Sequence, residues 1–262
     1  DMGFEKFVDI KCRTSGLFPD ATVIVATVRA LKMHGGGPKV SPGKPLAKEY
    51  KEENVELVKK GLANLEAHLG IVRKFGVPAV VAINAFPTDS EAEWAVIKEA
   101  AIKAGAVDAV VARNWAEGGD GAVELAKAVV KAAESPSDVK PFYSLDLSIK
   151  DKIDRIALEV YGAEQVSYSP EAEKAIDKFS SLGYDKLPIC MAKTQYSLSH
   201  DPLIKGAPKG FIFPVNDVRL AAGAGFIYPL SGEINTLPGL SSKPGYLGMD
   251  IDPETGRITG LS

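Results

Sequence analysis

The feature that most constrains this chain is an alternation of short apolar runs with amphipathic stretches of helical period. Each run ends in a loop of ligand-type residues. Residues 22–28 lead into 29–37, 77–83 into 84–90, 106–112 into 113–119, and 187–192 into 193–199. Between the first two runs, Val55, Val58, Leu62, Leu65, Leu69 and Val72 recur at spacings of three and four. That period predicts one helix with a single buried stripe. The next helix opens with a capping box, Ser90 with Glu93, carries Trp94, Ile97 and Ala101 on one face, and stops at Gly105. A third covers 122–133, with Leu125 and Val129 inward. Strand–helix alternation of this kind predicts an α/β fold, a parallel sheet with helices on both faces. All strand C-termini of such a sheet share one edge, so the four loops are expected to meet in one crevice.

At 262 residues the chain suits one large or two small domains. The expected division is 1–134, carrying the sheet, and 135–262, a smaller α/β C-terminal region beyond a polar linker at 134–138. That region reads as helices near 150–161 and 170–182, the second opened by Ser169-Pro170. Short strands follow at 210–213, 225–229 and 246–251, and residues 252–256 form a turn between strands. A net charge of −3 and a pI near 5.8 argue against bulk binding to nucleic acid or anionic membrane. No apolar stretch approaches the roughly 20 residues of a membrane span. The first residues show no signal-peptide layout and no starting Met, which leaves room for residues upstream. Cys12 and Cys190 have no His or Cys neighbour at metal spacing and read as buried free thiols of a reducing compartment.

The loops supply the chemistry. In Met33-His-Gly-Gly-Gly-Pro38, the backbone of Gly35, Gly36 and Gly37 can approach an anion without Cβ obstruction. Arg29 and Lys32 could add charge, and His34 is an acid/base candidate. An ordinary surface turn is the competing reading. A phosphate-binding GxxxxGK[ST] loop is missing, because Gly43-Lys44 is followed by Pro45. Asn84 and Asp89 are residue types that read a purine edge, but they stand five apart where GTPases use three, which disfavours a guanine-specific regulator. Otherwise they serve the strand end and the helix start. Phe86 and Trp115 follow adjacent strands. Trp115 either plugs the domain edge or stacks on a flat heteroaromatic ligand, whereas Trp94 reads as core. Lys193 and Thr194 open a polar loop that suits a ligand or a domain join equally. No Gly-x-Ser-x-Gly elbow is present. Glycine backbone, cations, amides and aromatic faces together suit a phosphorylated, ring-bearing ligand.

These stretches resemble formate–tetrahydrofolate ligases. The matching motifs include Phe7-Val-Asp-Ile-Lys-Cys-Arg13, Val25-Ala-Thr-Val-Arg-Ala-Leu-Lys-Met-His-Gly-Gly36 and Asn84-Ala-Phe-Pro-Thr-Asp89. Trp115-Ala-Glu-Gly-Gly119, Leu187-Pro-Ile-Cys-Met-Ala-Lys-Thr194, Asp217-Val-Arg219 and Leu237-Pro-Gly-Leu240 follow in order. Asn114 and Asn216 depart from the usual His and Arg. The resemblance covers about the second half of that family, so the family's Walker-type loop is expected on an upstream N-terminal half. It implies a P-loop NTPase-related fold and a ligase of one-carbon metabolism and purine biosynthesis. In that reaction ATP phosphorylates formate, and N10 of tetrahydrofolate attacks the formyl phosphate to give 10-formyltetrahydrofolate. By resemblance, Gly35–Gly37, Arg29 and His34 belong to the catalytic site. Phe86 and Trp115 flank a pterin or an adenine, and Asn84, Asp89, Lys193 and Thr194 join the ligand-binding set. Mg²⁺, a monovalent cation (K⁺ or NH₄⁺) and a homo-oligomer are also implied. The expected location is cytoplasmic, with the mitochondrial matrix as the alternative. With no phosphate loop of its own, the chain alone is expected to be inactive. A non-catalytic fragment or assembly module is the other reading.

Overall fold

A computed structural model describes residues 3–41, 44–232, 234 and 244–260. Gly43 and the 237–240 motif lie outside the described residues. The sheet that places the loops has three parallel strands in the order β1-β2-β3: Thr22–Ala26 (β1), Ala79–Asn84 (β2) and Asp108–Ala112 (β3). The central strand, β2, is an unbroken apolar run up to Asn84, and its first five residues are buried. A strand covered on both faces needs such a run.

Helix α2 (Val55–Lys74) starts where the Asn54 side chain accepts the Leu57 N–H at 3.0 Å. Its stripe of Val58, Leu65, Leu69 and Val72 is buried in the main core, as the spacing predicts. Helix α3 (Glu91–Lys103) adds Ile97 and Ala101 to the same core as Val81, Ile83 and Ala109. Both halves of its capping box are formed, at 3.2 and 3.1 Å. Helix α5 (Val123–Ala133) lies on the opposite face, where Leu125, Ala128, Val129 and Ala132 gather around Val80 and Val110. The parallel sheet thus has helices on both faces.

Four expectations are corrected. The strand expected over 22–28 ends at Ala26, because Thr27 caps a helix through its hydroxyl, which accepts the Ala30 N–H at 3.1 Å. Helix α1 (Val28–His34) follows and buries Val28, Leu31 and Lys32, so most of the expected 29–37 loop is helical. Residues after β3 likewise form a short helix, α4 (Asn114–Glu117). The run at 187–192 is no strand of this sheet. It makes isolated bridges, Ile189 with Ile227 and Ala192 with Leu230, and Pro188 has no N–H to extend a ladder. The fourth loop therefore does not join the other three at the sheet edge.

Helix α6 (Ile149–Arg155) runs into a wider π-turn, Ile156–Val160. Strand β4 (Gln165–Tyr168) pairs in parallel with β5 (Ile212–Val215). Between them lies α7 (Pro170–Ser181), whose cap Ser169 accepts the Ala172 N–H at 3.0 Å. Strands β6 (Asp217–Ala221) and β7 (Phe226–Leu230) form an antiparallel pair. Strands β8 (Asp250–Ile251) and β9 (Ile258–Thr259) close the expected turn at 252–256. The helical N-terminal segment, from Phe4 to Ser15, buries Phe4 and Val8. The Phe4 ring meets Phe75 edge-on at 5.4 Å. Cys12 and Cys190 are free thiols, Cys12 buried and Cys190 partly so.

Candidate functional site

Asn84 pairs with Ala112 at the ends of β2 and β3, and the Ala85 N–H donates to the Ala112 carbonyl at 3.0 Å. The loops that follow therefore leave the sheet side by side. One carries Phe86 and the other Trp115. With Asn84, Ala85 and Pro87 these rings line a cleft of about 180 Å³. Trp115 is 84% exposed, so it plugs no edge of the domain. Its ring forms one wall of the cleft and is open to a ligand.

Phe86 is held from two sides. Its N–H donates to Asp89 Oδ2 at 2.9 Å. The Arg29 guanidinium, delivered by the first turn of α1, lies 4.0 Å from its ring centre. Residues after β1, β2 and β3 thus meet as the parallel sheet predicts. Burial pushes the Asp89 carboxyl above its ordinary range, and the Phe86 N–H is the largest of the effects that oppose it. Asp89 Oδ1, Thr88 Oγ1 and Arg29 Nε are buried without a hydrogen-bond partner. Trp94 Nε1 is buried in the same state, and a Trp94 hydrogen bond is among the effects that lower the Asp89 carboxyl, so the indole N–H is the natural donor to that carboxylate.

Behind the cleft stands an ion pair that sequence reasoning missed. Lys32 Nζ lies 2.6 Å from Glu93 Oε1, and both side chains are almost fully buried. Glu93 also accepts the N–H groups of Asn54 (2.8 Å) and Ser90 (3.1 Å), and Lys32 donates to the Glu52 carbonyl at 2.8 Å. Burial alone would raise the Glu93 carboxyl. The Lys32 ammonium and the two amides outweigh it and hold the group below its usual value. One carboxylate therefore ties α1, the start of α2 and the start of α3 together. In the sequence Lys32 shows only as a charge before the glycines, because its partner Glu93 lies on another helix.

The remaining candidates lie elsewhere, and none of them lines the cleft. His34 accepts the Gly206 N–H at Nδ1 (3.0 Å), and burial, then Lys205, lowers its pKa. It stands in the structure as a neutral tether. The N–H groups of Gly35, Gly36 and Gly37 donate to the Leu31, Met33 and Lys32 carbonyls at 2.8, 3.2 and 2.9 Å. A Cβ at Gly35 would strike the Leu57 carbonyl, and one at Gly37 would strike the Tyr50 hydroxyl and the Lys32 carbonyl. Gly35 is thus pressed on the backbone of α2, and Gly37 on the Tyr50 ring. Lys193 donates to the carbonyls of Thr194, Ser197 and Ser199 and lies 5.0 Å from the Tyr161 ring centre. Burial, then Lys6, lowers its ammonium to about 7. It organises its own loop, which includes Thr194.

The model of the formate–tetrahydrofolate ligase family matches residues 1–262. The chain is 54% identical to the formate–tetrahydrofolate ligase of Roseiflexus sp. (strain RS-1), over 100% of this chain and 46% of that protein. It is 55% identical to the mitochondrial C-1-tetrahydrofolate synthase of Saccharomyces cerevisiae, over 99% of this chain and 27% of that protein. With the cytoplasmic C-1-tetrahydrofolate synthase of Schizosaccharomyces pombe the figures are 56%, 100% and 28%. The chain thus spans about half of the single-function relative and just over a quarter of the synthases. With the match running unbroken through the loops that build the cleft, the chain belongs to the formate–tetrahydrofolate ligase family.

Proposed function

We propose that this chain supplies the tetrahydrofolate-binding part of an ATP-dependent formate–tetrahydrofolate ligase, with the pterin ring between Phe86 and Trp115. The observation that carries this reading is the cleft between the two rings, with the Asp89 carboxylate bound to the Phe86 N–H. A pterin presents two adjacent donors, the ring N3–H and the 2-amino group. An acceptor-only carboxylate matches that edge. Adenine offers one exocyclic amino group beside ring-nitrogen acceptors, which a carboxylate repels. Asn84, at the cleft wall, can reach a further polar atom of the ring.

The work of this chain is then positioning. Stacking fixes the plane of the pterin, and Asp89 fixes its rotation. The N10 lone pair is thereby aimed at the carbonyl carbon of formyl phosphate; as the C–N bond forms the C–O bond breaks, and the phosphate leaves with the electron pair and takes up the N10 proton. Holding two reactants in one geometry supplies much of the rate in such a transfer. The Arg29 guanidinium, with Nε unsatisfied, is suited to the negative charge of formate or its acyl phosphate. The rest of the ligase polypeptide carries the phosphate-binding loop, the ATP site and the ligands for Mg²⁺ and the monovalent cation. No group of three or more His, Cys, Asp or Glu side chains fit to hold a metal occurs among the described residues. The test is calorimetric titration of the 262-residue chain with tetrahydrofolate and, separately, with ATP. Tetrahydrofolate binding that Asp89→Asn and Phe86→Ala each weaken is the expected result. ATP binding that these changes weaken equally would assign the cleft to adenine instead. In an assay with ATP, formate and tetrahydrofolate, the chain alone should give no turnover.

A further inference from the structure

Pairing of β2 with β3 fixes only where the two loops of the cleft begin. Phe86 lies two residues beyond Asn84, and Trp115 three beyond Ala112. The spacing of the two rings therefore needs a further link, and one side chain serves both loops. Trp94, at the start of α3, packs partly buried against the main core. A phenylalanine would fill that space as well. The indole adds an N–H donor and a more electron-rich face.

The donor serves the Phe86 loop. Trp94 Nε1 and Asp89 Oδ1 are both buried, and neither has any other partner among the described residues. The Asp89 N–H donates to the Phe86 carbonyl at 3.0 Å, and Asp89 Oδ2 accepts the Phe86 N–H at 2.9 Å. Residues 86–89 thus form a closed turn whose carboxylate is shared between Phe86 and the indole. The face serves the Trp115 loop. The Arg113 guanidinium lies 5.3 Å from the Trp94 ring centre. The Arg113 carbonyl accepts the Ala116 and Glu117 N–H groups at 3.0 and 2.9 Å and so starts α4, the helix that carries Trp115. The Arg113 N–H donates to the Gly121 carbonyl at 3.0 Å, and a Cβ at Gly121 would strike the Arg113 carbonyl. The backbone of Arg113 is therefore held, and its side chain carries that position to Trp94.

We propose that Trp94 is a positioning residue of the ligase: its N–H sets the rotation of Asp89, and its face holds Trp115 at the distance of one flat ring from Phe86. The proposal rests on the pterin reading of the cleft. Contacts run from Phe86 through Asp89, Trp94 and Arg113 to Trp115, so a shift of either wall disturbs the indole. Glu93 on α3 and Arg29 on α1 are the charged groups that also face Asp89. Pterin binding uses the ionised carboxylate, and the indole N–H favours that form. Removal of the donor should therefore move the acid limb of binding to higher pH.

Steady-state kinetics of the whole ligase polypeptide test this. Trp94→Phe keeps an aromatic ring in the core and removes the donor. It should raise KM for tetrahydrofolate about 10-fold, the worth of a donor to a charged acceptor, with KM for ATP unchanged. Its loss of kcat/KM on the acid side should begin at higher pH. Arg113→Met, at an exposed position, should raise the same KM about threefold and leave the acid limb in place, because the indole N–H remains. In an Asp89→Asn background Trp94→Phe should add nothing, since a group that acts through another is not additive with it. Ile97→Val, buried on the same helix, loosens packing alone and should move neither KM nor the limb. An unchanged KM and limb in Trp94→Phe would overturn the proposal. So would full additivity with Asp89→Asn, or an equal limb shift in Ile97→Val. Should Trp94→Phe fail to fold, an unchanged KM in Arg113→Met would overturn the link to Trp115. A raised KM for ATP in place of tetrahydrofolate, again absent in Asp89→Asn, would refute the pterin reading and uphold Trp94 as the residue that positions Asp89.

Discussion

Trp115 offers the sharpest test at the scale of single residues. Its ring is mostly in solvent, so Trp115→Ala should leave the melting temperature nearly unchanged. Loss of a stacking wall should weaken tetrahydrofolate binding by about 1–3 kcal/mol, read by titration. Glu93 should behave oppositely. Glu93→Ala leaves the Lys32 ammonium buried and unpaired, and should cost about 3–5 kcal/mol in denaturant unfolding. The buried Asp9 predicts a pH effect. Burial first, against the Phe142 N–H and Arg13, raises its carboxyl to about 7. The folded chain therefore holds a proton there that the unfolded chain releases near 3.8. Asp9 thus contributes a loss of stability as pH rises from about 4 to 7. Asp9→Asn should remove that component from stability measured against pH, and an unchanged slope would contradict it. The ring residues were legible because Phe86 and Trp115 follow apolar runs that had to be adjacent strands. Asp89 was legible only as one of two readings, since the state of its second oxygen depends on burial. Lys32 was visible as a charge near the glycines, but its partner lies sixty-one residues away and no local pattern links them.

At the scale of elements, the glycines after α1 separate two kinds of constraint. Gly36 has φ +100 with nothing near its missing Cβ, so Gly36→Ala should cost only backbone strain, about 1–2 kcal/mol. Gly35 is pressed on α2 at the Leu57 carbonyl, so Gly35→Ala must push two helices apart, at about 1–3 kcal/mol. Thermal melts of both variants measure this, and the ordering should reverse if the turn is loosely packed. Helices α2 and α3 and the cap of α7 stood where the sequence placed them, because stripe, capping box and Ser-Pro start act within a few residues. The strand expected at 187–192 failed for a non-local reason. Its apolar run satisfies β7 through isolated bridges rather than a ladder of its own. Residues 29–34 are helical because the Thr27 cap starts a turn of helix formers inside what the apolar run and the following glycines present as one strand and one loop.

At the scale of the whole molecule, the parallel order and the two-sided helix cover followed from the alternation of periods, but the division of the apolar residues between a large core and the small cluster under α5 did not. A consequence also follows from the way the N-terminal segment is fastened. Asp9 accepts the Phe142 N–H at 2.6 Å, Arg13 donates to the Tyr143 carbonyl at 2.6 Å, and the Phe75 and Phe142 rings are 5.3 Å apart. Residues 136–138, just before these anchors, are exposed and outside helix or strand. A protease that severs the backbone there should cut the covalent connection without separating the pieces. On a denaturing gel the product should run as two bands, and on a sizing column as one particle of the original volume. Backbone continuity at that point should then contribute little to holding the two segments together.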